Sequence, residues 1–173
     1  MEKEELEILK ILDKAVSDYS VKQAIEKIIS RVEDNLNKNQ SEVMAWEPIP
    51  LDLYKLKLPD EIKSSWVFIL RKNTITGAER HPNSRQRMMS YRGQGDFQTK
   101  PGNEWISHLM ERNSDASPEN RWISIPHNVW HQGIVDNENW VVVSFQTAGV
   151  TELIEERPES DTENSFHRKK YVE

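Results

Sequence analysis

The chain has 173 residues, 36% of them hydrophobic, with 29 acidic against 23 basic side chains and no cysteine. A net charge of −6 with scattered acids leaves no basic footprint for nucleic acid, and the lack of cysteine excludes disulfides, thiolate nucleophiles and Cys-type zinc sites. No stretch approaches the roughly 18 apolar residues of a membrane span, and Met-Glu-Lys-Glu-Glu at the start lacks the pattern of a signal peptide, so a soluble cytoplasmic protein that engages neither nucleic acid nor membrane is expected.

Leu6, Leu9, Leu12, Val16 and Tyr19 recur at spacings of three and four, the period of an amphipathic helix. Ser20 with Gln23 three residues on has the form of a capping box, and opens a second helix with Val21, Ile25, Ile28, Ile29, Val32 and Leu36 on one side. These apolar stripes need cover, from the rest of the chain or from a second copy; exposed barrel edges also want cover, and a homodimer is the expectation. Asn35 to Gln40 is polar and reads as a linker.

Beyond it the period changes. Met44 to Glu47 is a short candidate strand, Pro48, Pro50 and Pro59 bracket a turn-rich crossing, and Trp66 to Leu70 is a β-favouring run. Strands follow over Gln86–Arg92, Asp96–Thr99, Arg121–Ile125, Val129–Val135 and Trp140–Thr147. Arg112 to Asn120 reads as a surface loop and Asp136 to Asn139 as a hairpin turn. Many short strands between turn signals predict an all-β barrel or sandwich. The expected organisation is a helical segment over 1–42, a β-barrel over 43–155 and a charged tail over 156–173, α+β overall but mainly β.

Two stretches carry the chemistry. In Glu79-Arg80-His81 the outer two side chains leave one face of an extended backbone, and the turn at Pro82-Asn83-Ser84 brings Gln86 back beside them. Pro126-His127-Asn128-Val129-Trp130-His131 again runs from a proline turn into a strand that carries a histidine. Glu79, His81, Gln86 and His131 form the nitrogen and oxygen donor set a divalent metal ion requires.

This pattern resembles the cupin superfamily, with motifs G-x5-H-x-H-x3,4-E-x6-G and G-x5-P-x-G-x2-H-x3-N, over roughly residues 66 to 147. His81, Gly93, Pro126 and His131 match by identity. Glu79 stands at the first His, Gln86 at the Glu, Asn73 and Asn120 at the leading glycines, Asn128 at the inner glycine and Val135 at the closing Asn. The formal charge of the ligand set survives, because Glu79 supplies what Gln86 lacks. The resemblance implies a cupin-type β-barrel or jelly roll preceded by the helical pair. It also implies a divalent metal ion (Fe, Mn, Zn or Ni) and an enzyme acting on a small organic substrate, with dioxygen as co-substrate if the metal is Fe(II). The alternative is a non-catalytic cupin that binds a small ligand or a protein partner, with Glu79 paired to Arg80, Arg85 or Arg87.

Around the ligands, Met88 and Ser90 share parity with Gln86 and are expected to face the pocket, with Arg85 and Trp130 as further lining. His127 is the candidate general acid or base by its titration range. Arg85, Arg87, Arg92 and Arg121 are candidates for binding an anionic group, although parity turns Arg87 away from Gln86.

Overall fold

A computed structural model describes residues 2–110, 115–159 and 165–173. Two helices, α1 (Lys3–Ser17) and α2 (Tyr19–Lys38), come first. The cap between them is Asp18 rather than Ser20: its carboxylate accepts from the backbone N–H of Ser20 at 2.9 Å and of Val21 at 3.1 Å, and from the Ser20 hydroxyl. Tyr19 therefore begins α2 and is exposed instead of closing the α1 stripe. The polar stretch predicted as a linker continues α2 as far as Lys38, because Leu36 is fully buried and holds that turn down.

The strands are β1 (Met44–Ile49), β2 (Ser64–Leu70), β3 (Gln86–Arg92), β4 (Gly95–Lys100), β5 (Leu109–Met110), β6 (Trp122–Ile125), β7 (Trp130–Val135), β8 (Trp140–Gln146), β9 (Ile154–Pro158) and β10 (Phe166–Lys170). A short helix α3 (Pro118–Arg121) occupies part of the segment read as a surface loop; residues 112–114 of that segment lie outside the described residues. Five strands form an antiparallel sheet in the order β1-β2-β8-β3-β6, and three form a second, β5-β4-β7. Pro48 is tolerated in β1 because β1 is an edge. The turn 136–139 is not a hairpin: β7 and β8 belong to different sheets, so it carries the chain across the sandwich. The mainly β, jelly-roll expectation is met.

Strand alternation separates two cores. Val67, Ile69, Val141, Val143 and Phe145 face α1 and α2, whereas Trp66, Phe68, Leu70, Met88, Trp140 and Val142 face Phe97, Met110 and Val135 between the sheets. Strands β2 and β8 are consequently buried on both faces. The buried residues of the helical stripes cover the outer face of the chain's own five-stranded sheet, while Ile11 and Tyr19 remain exposed. The arginines flanking the motifs fasten this layer. Arg87 binds Glu5 and Glu61, Arg92 binds Glu26 and Glu33, and Arg121 binds Asp13. Arg85 donates to Ser124 at 3.1 Å and lies 4.0 Å from Glu5. The expected anion-binding role is thus corrected, since these cations are committed to helix, loop and strand partners.

The segment predicted as a charged tail folds instead into the β9–β10 hairpin; residues 160–164 lie outside the described residues. Backbone pairs Glu79↔His131 and Arg80↔Glu156 join β7 to the 79–80 segment and that segment to β9. Each pair exchanges two N–H···O bonds of 2.9 to 3.0 Å. The three-stranded sheet and the hairpin therefore read across as one curved surface, with residues 79–80 as the connecting rung.

Candidate metal centre

Register on that connecting rung builds the site. Glu79 lies directly across from His131, and His81 is two residues on, so all three side chains share one face. Their ligand atoms lie within 4.8 Å of one another. Nε2 of His131 is 3.5 Å and Nε2 of His81 is 4.0 Å from Oε1 of Glu79. Each imidazole is tied at its other nitrogen: Nδ1 of His81 donates to the Ile154 carbonyl at 2.9 Å and Nδ1 of His131 to the Val129 carbonyl at 3.0 Å. A carbonyl only accepts, so the proton sits on Nδ1, and in the neutral ring Nε2 presents a lone pair toward Glu79. Both rings are almost fully buried, and Nε2 of His131 has no hydrogen-bond partner.

The carboxylate is divided between two tasks. Oε2 of Glu79 accepts from Nη2 of Arg157 at 2.6 Å, which leaves Oε1 to the histidines. Arg157 is itself held by Glu155 through Nε and by the Thr76 carbonyl at 3.3 Å through Nη1. The arginine that pairs with Glu79 is thus Arg157 of β9, not Arg80, Arg85 or Arg87. Arg80 is turned to the opposite face, where it binds Glu156 at 2.6 Å and stacks over Trp130 at 4.4 Å. Burial acts to raise the Glu79 pKa, but the adjoining His131 ring and the Arg157 guanidinium outweigh it and hold the carboxyl below its usual range. Burial pushes His81 down to about 4, with attraction to Glu79 only partly offsetting it.

Gln86, Met88, Glu79 and His131 line a common cavity of about 20 Å³ with Phe68, Leu70, Phe97 and Val142. That volume accepts one water-sized occupant. Oε1 of Gln86 is buried there without a partner. The other expected lining residues lie elsewhere. Ser90 accepts from Trp140 Nε1 at 2.9 Å and donates to the Gly93 carbonyl. Trp130, next to His131 in β7, points to the opposite face under Arg80 by strand alternation, and Arg85 faces the helical layer. His127 is exposed in its turn and is outside the cavity lining, so it lacks the burial and reach of an acid or base for this cavity.

Two of the three departures from the motif glycines have a backbone explanation, the third, Asn120, lying in α3. Asn73 and Asn128 adopt φ of 56° and 61°, the left-handed region that Asn tolerates best among residues bearing a side chain. Gly93 has φ of 81°, and a Cβ there would lie 2.8 Å from the Asn139 carbonyl oxygen. Sequence reasoning missed Arg157 and Glu155. A signal was present: the acidic Glu155-Glu156 and the basic Arg168-Lys169 are complementary runs, and the structure pairs Glu155 with Lys169 and Glu156 with Arg168.

No family model and no curated protein matches this chain. Solved structures do. Salicylate 1,2-dioxygenase from Pseudoaminobacter salicylatoxidans superposes with a TM-score of 0.52 at 9% identity, covering 72% of this chain and 34% of that one. Procruciferin, an 11S globulin of Brassica napus, gives 0.50 at 12% identity over 67% of this chain and 28% of its own. The pro-11S globulin of pumpkin gives 0.50 at 14%, over 66% and 28%. This chain thus spans about a third or less of their lengths. At such identities the likeness is one of fold.

Proposed function

We propose, from the premise that this chain has the cupin fold, that it is a metal-dependent enzyme acting on a small organic substrate. Glu79, His81 and His131 would hold the ion, with Gln86 as a fourth donor. The observation that carries this reading is the pair of imidazoles, each locked at Nδ1 by a backbone carbonyl with Nε2 turned to one carboxylate oxygen. Two histidines and one carboxylate are a donor set suited to Fe(II), and also to Mn, Zn or Ni. Such an ion would supply Lewis acidity or, as Fe(II), dioxygen chemistry. The protein's part is derived from its own atoms. The Nδ1 anchors fix ring orientation, Arg157 keeps Glu79 ionised, and Phe68, Leu70, Met88, Phe97 and Val142 exclude bulk water from the cavity. Gln86 offers a carbonyl acceptor at its wall.

A second reading has its own support. With room for one water-sized occupant, an organic substrate enters only if side chains at the half-buried Met44, Thr76 and Gln132 give way. Moreover, Glu79 is already neutralised by Arg157. Both favour a non-catalytic cupin that binds a small ligand or a partner. Metal titration decides. Protein prepared without chelator is expected to bind one divalent ion per chain; Glu79→Gln and His131→Ala are expected to lose 10- to 100-fold or more in affinity, and Gln86→Glu to hold or gain. Parent protein that binds no ion, or a Glu79→Gln variant with unchanged affinity, puts the second reading in front.

A further inference from the structure

Arg157 is the one cation that reaches the site among the described residues, and it comes from a strand that neither motif includes. Its guanidinium is fixed on three sides, by Glu155, by the Thr76 carbonyl and by Oε2 of Glu79. The backbone beneath it is fixed as well, because Glu156 pairs with Arg80 in the sheet and its buried carboxylate binds both Arg80 and Arg168. A rigid donor 2.6 Å from one carboxylate oxygen makes that oxygen a poor ligand, since its lone pairs and its orientation are already committed. The other oxygen alone is turned toward Nε2 of both histidines.

We infer that Arg157 is a positioning and selectivity residue: it confines Glu79 to one donor oxygen and so biases the centre toward small ions of low coordination number over larger, oxygen-loving ones. This rests on the metal-binding reading above. A carboxylate free to turn can bind through both oxygens, which ions such as Mn(II) and Ca(II) accept more readily than Zn(II). Glu155 gives Arg157 its second anchor, so the arginine can hold Glu79 without being drawn out of line by it. The charge of Arg157 also opposes any divalent cation, but that repulsion acts on every divalent ion alike and cancels in a ratio of affinities.

The test is therefore a ratio. Dissociation constants for Zn(II) and Mn(II) are measured on the full chain by calorimetry for the parent, Arg157→Met and Arg157→Lys, with far-UV dichroism to confirm folding. In Arg157→Met the preference for Zn(II) over Mn(II) is expected to fall about tenfold or more, and the ligand-field absorption of the Co(II)-loaded protein to weaken as the coordination number rises. Arg157→Lys, which can still contact one oxygen, is expected to restore the parental ratio. If both affinities change by the same factor, Arg157 acts as a charge only and the inference is overturned. If the parent binds neither ion, the metal-binding reading fails first, a distinguishable result. Should Arg157→Met not fold, infrared difference spectra of the parent on adding Zn(II) read the same quantity, with Glu79→Gln assigning the band. A wide separation of the two carboxylate stretches, the mark of one-oxygen binding, supports the inference; a narrow one overturns it.

Discussion

Burial and charge pull His81 in opposite directions, and burial wins: the ring takes up a proton only near pH 4, against 6.5 for the unperturbed group. The unfolded chain therefore binds a proton that the folded one refuses across that window. Stability is complete above pH 6.5 and falls as pH drops toward 4, the sign required when the unfolded state holds more protons. The lowered pKa of Glu79 adds a further loss only below its own unfolded value of 4.5, whereas the raised pKa of Glu155 acts in the opposite sense as pH falls, so comparison with His81→Gln is what assigns the loss to the histidine. Metal-stripped protein is expected to lose about 2 kcal/mol between pH 7 and 5, read by urea denaturation, and His81→Gln to lose distinctly less. A flat profile in the parent would show that the ring is not held neutral. At this scale the sequence was legible where an identity or a parity rule applied: Glu79 and His81 on one face, Gln86 and Met88 inward, Arg87 outward. It misled where a side chain's neighbours came from remote strands. Trp130 and Arg85 were placed in the pocket by proximity in sequence, although alternation turns the first under Arg80 and the helical layer claims the second.

Elements were read well where periodicity spoke and less well at their ends. Val21, Ile25, Ile28, Ile29, Val32 and Leu36 of α2 are all buried as the period requires. Its two boundaries moved because Ser20 mimics a cap two residues too late and because Leu36 packs inside a polar stretch. Asp18, which bonds two backbone N–H groups and the Ser20 hydroxyl, carries the cap. Asp18→Ala is expected to lower the melting temperature clearly, while Ser20→Ala, within the first turn and exposed, should leave it nearly unchanged. Thermal melts of the two variants check this, and a larger loss for Ser20→Ala would restore the capping box. The β9–β10 hairpin was read as a tail because its alternation is written in charges rather than in apolar residues. Periodicity of hydrophobic side chains cannot see a strand whose inward face presents Glu155 and Arg157 to other charged groups.

Across the whole molecule the layers are sewn by contacts of very different reach. The helix pair is local, whereas the surface bearing the candidate metal centre is closed by Arg80–Glu156 and Glu79–Arg157, pairs 76 and 78 residues apart in sequence. The β2–β8 pairing spans similar distances in sequence, so loop closure alone does not rank these contacts. What sets β9 apart is its attachment: Arg80 of the 79–80 rung, which β7 holds in register through Glu79, pairs with Glu156, and β9 is therefore expected to dock after that rung is aligned. Contacts absent from the transition state govern escape from the native state rather than arrival at it. Glu156→Gln, which removes the charge shared by Arg80 and Arg168, is expected to cost about 1–3 kcal/mol, held to that range because Arg168 is exposed to solvent. Nearly all of that loss should appear as faster unfolding in stopped-flow denaturant jumps, with the refolding limb unmoved. A slowed refolding limb would mean that the hairpin docks early. With the expected outcome, lifetime and yield are separable in this protein: the last strands to dock set how long the centre persists once made, and leave untouched how fast the chain finds its fold.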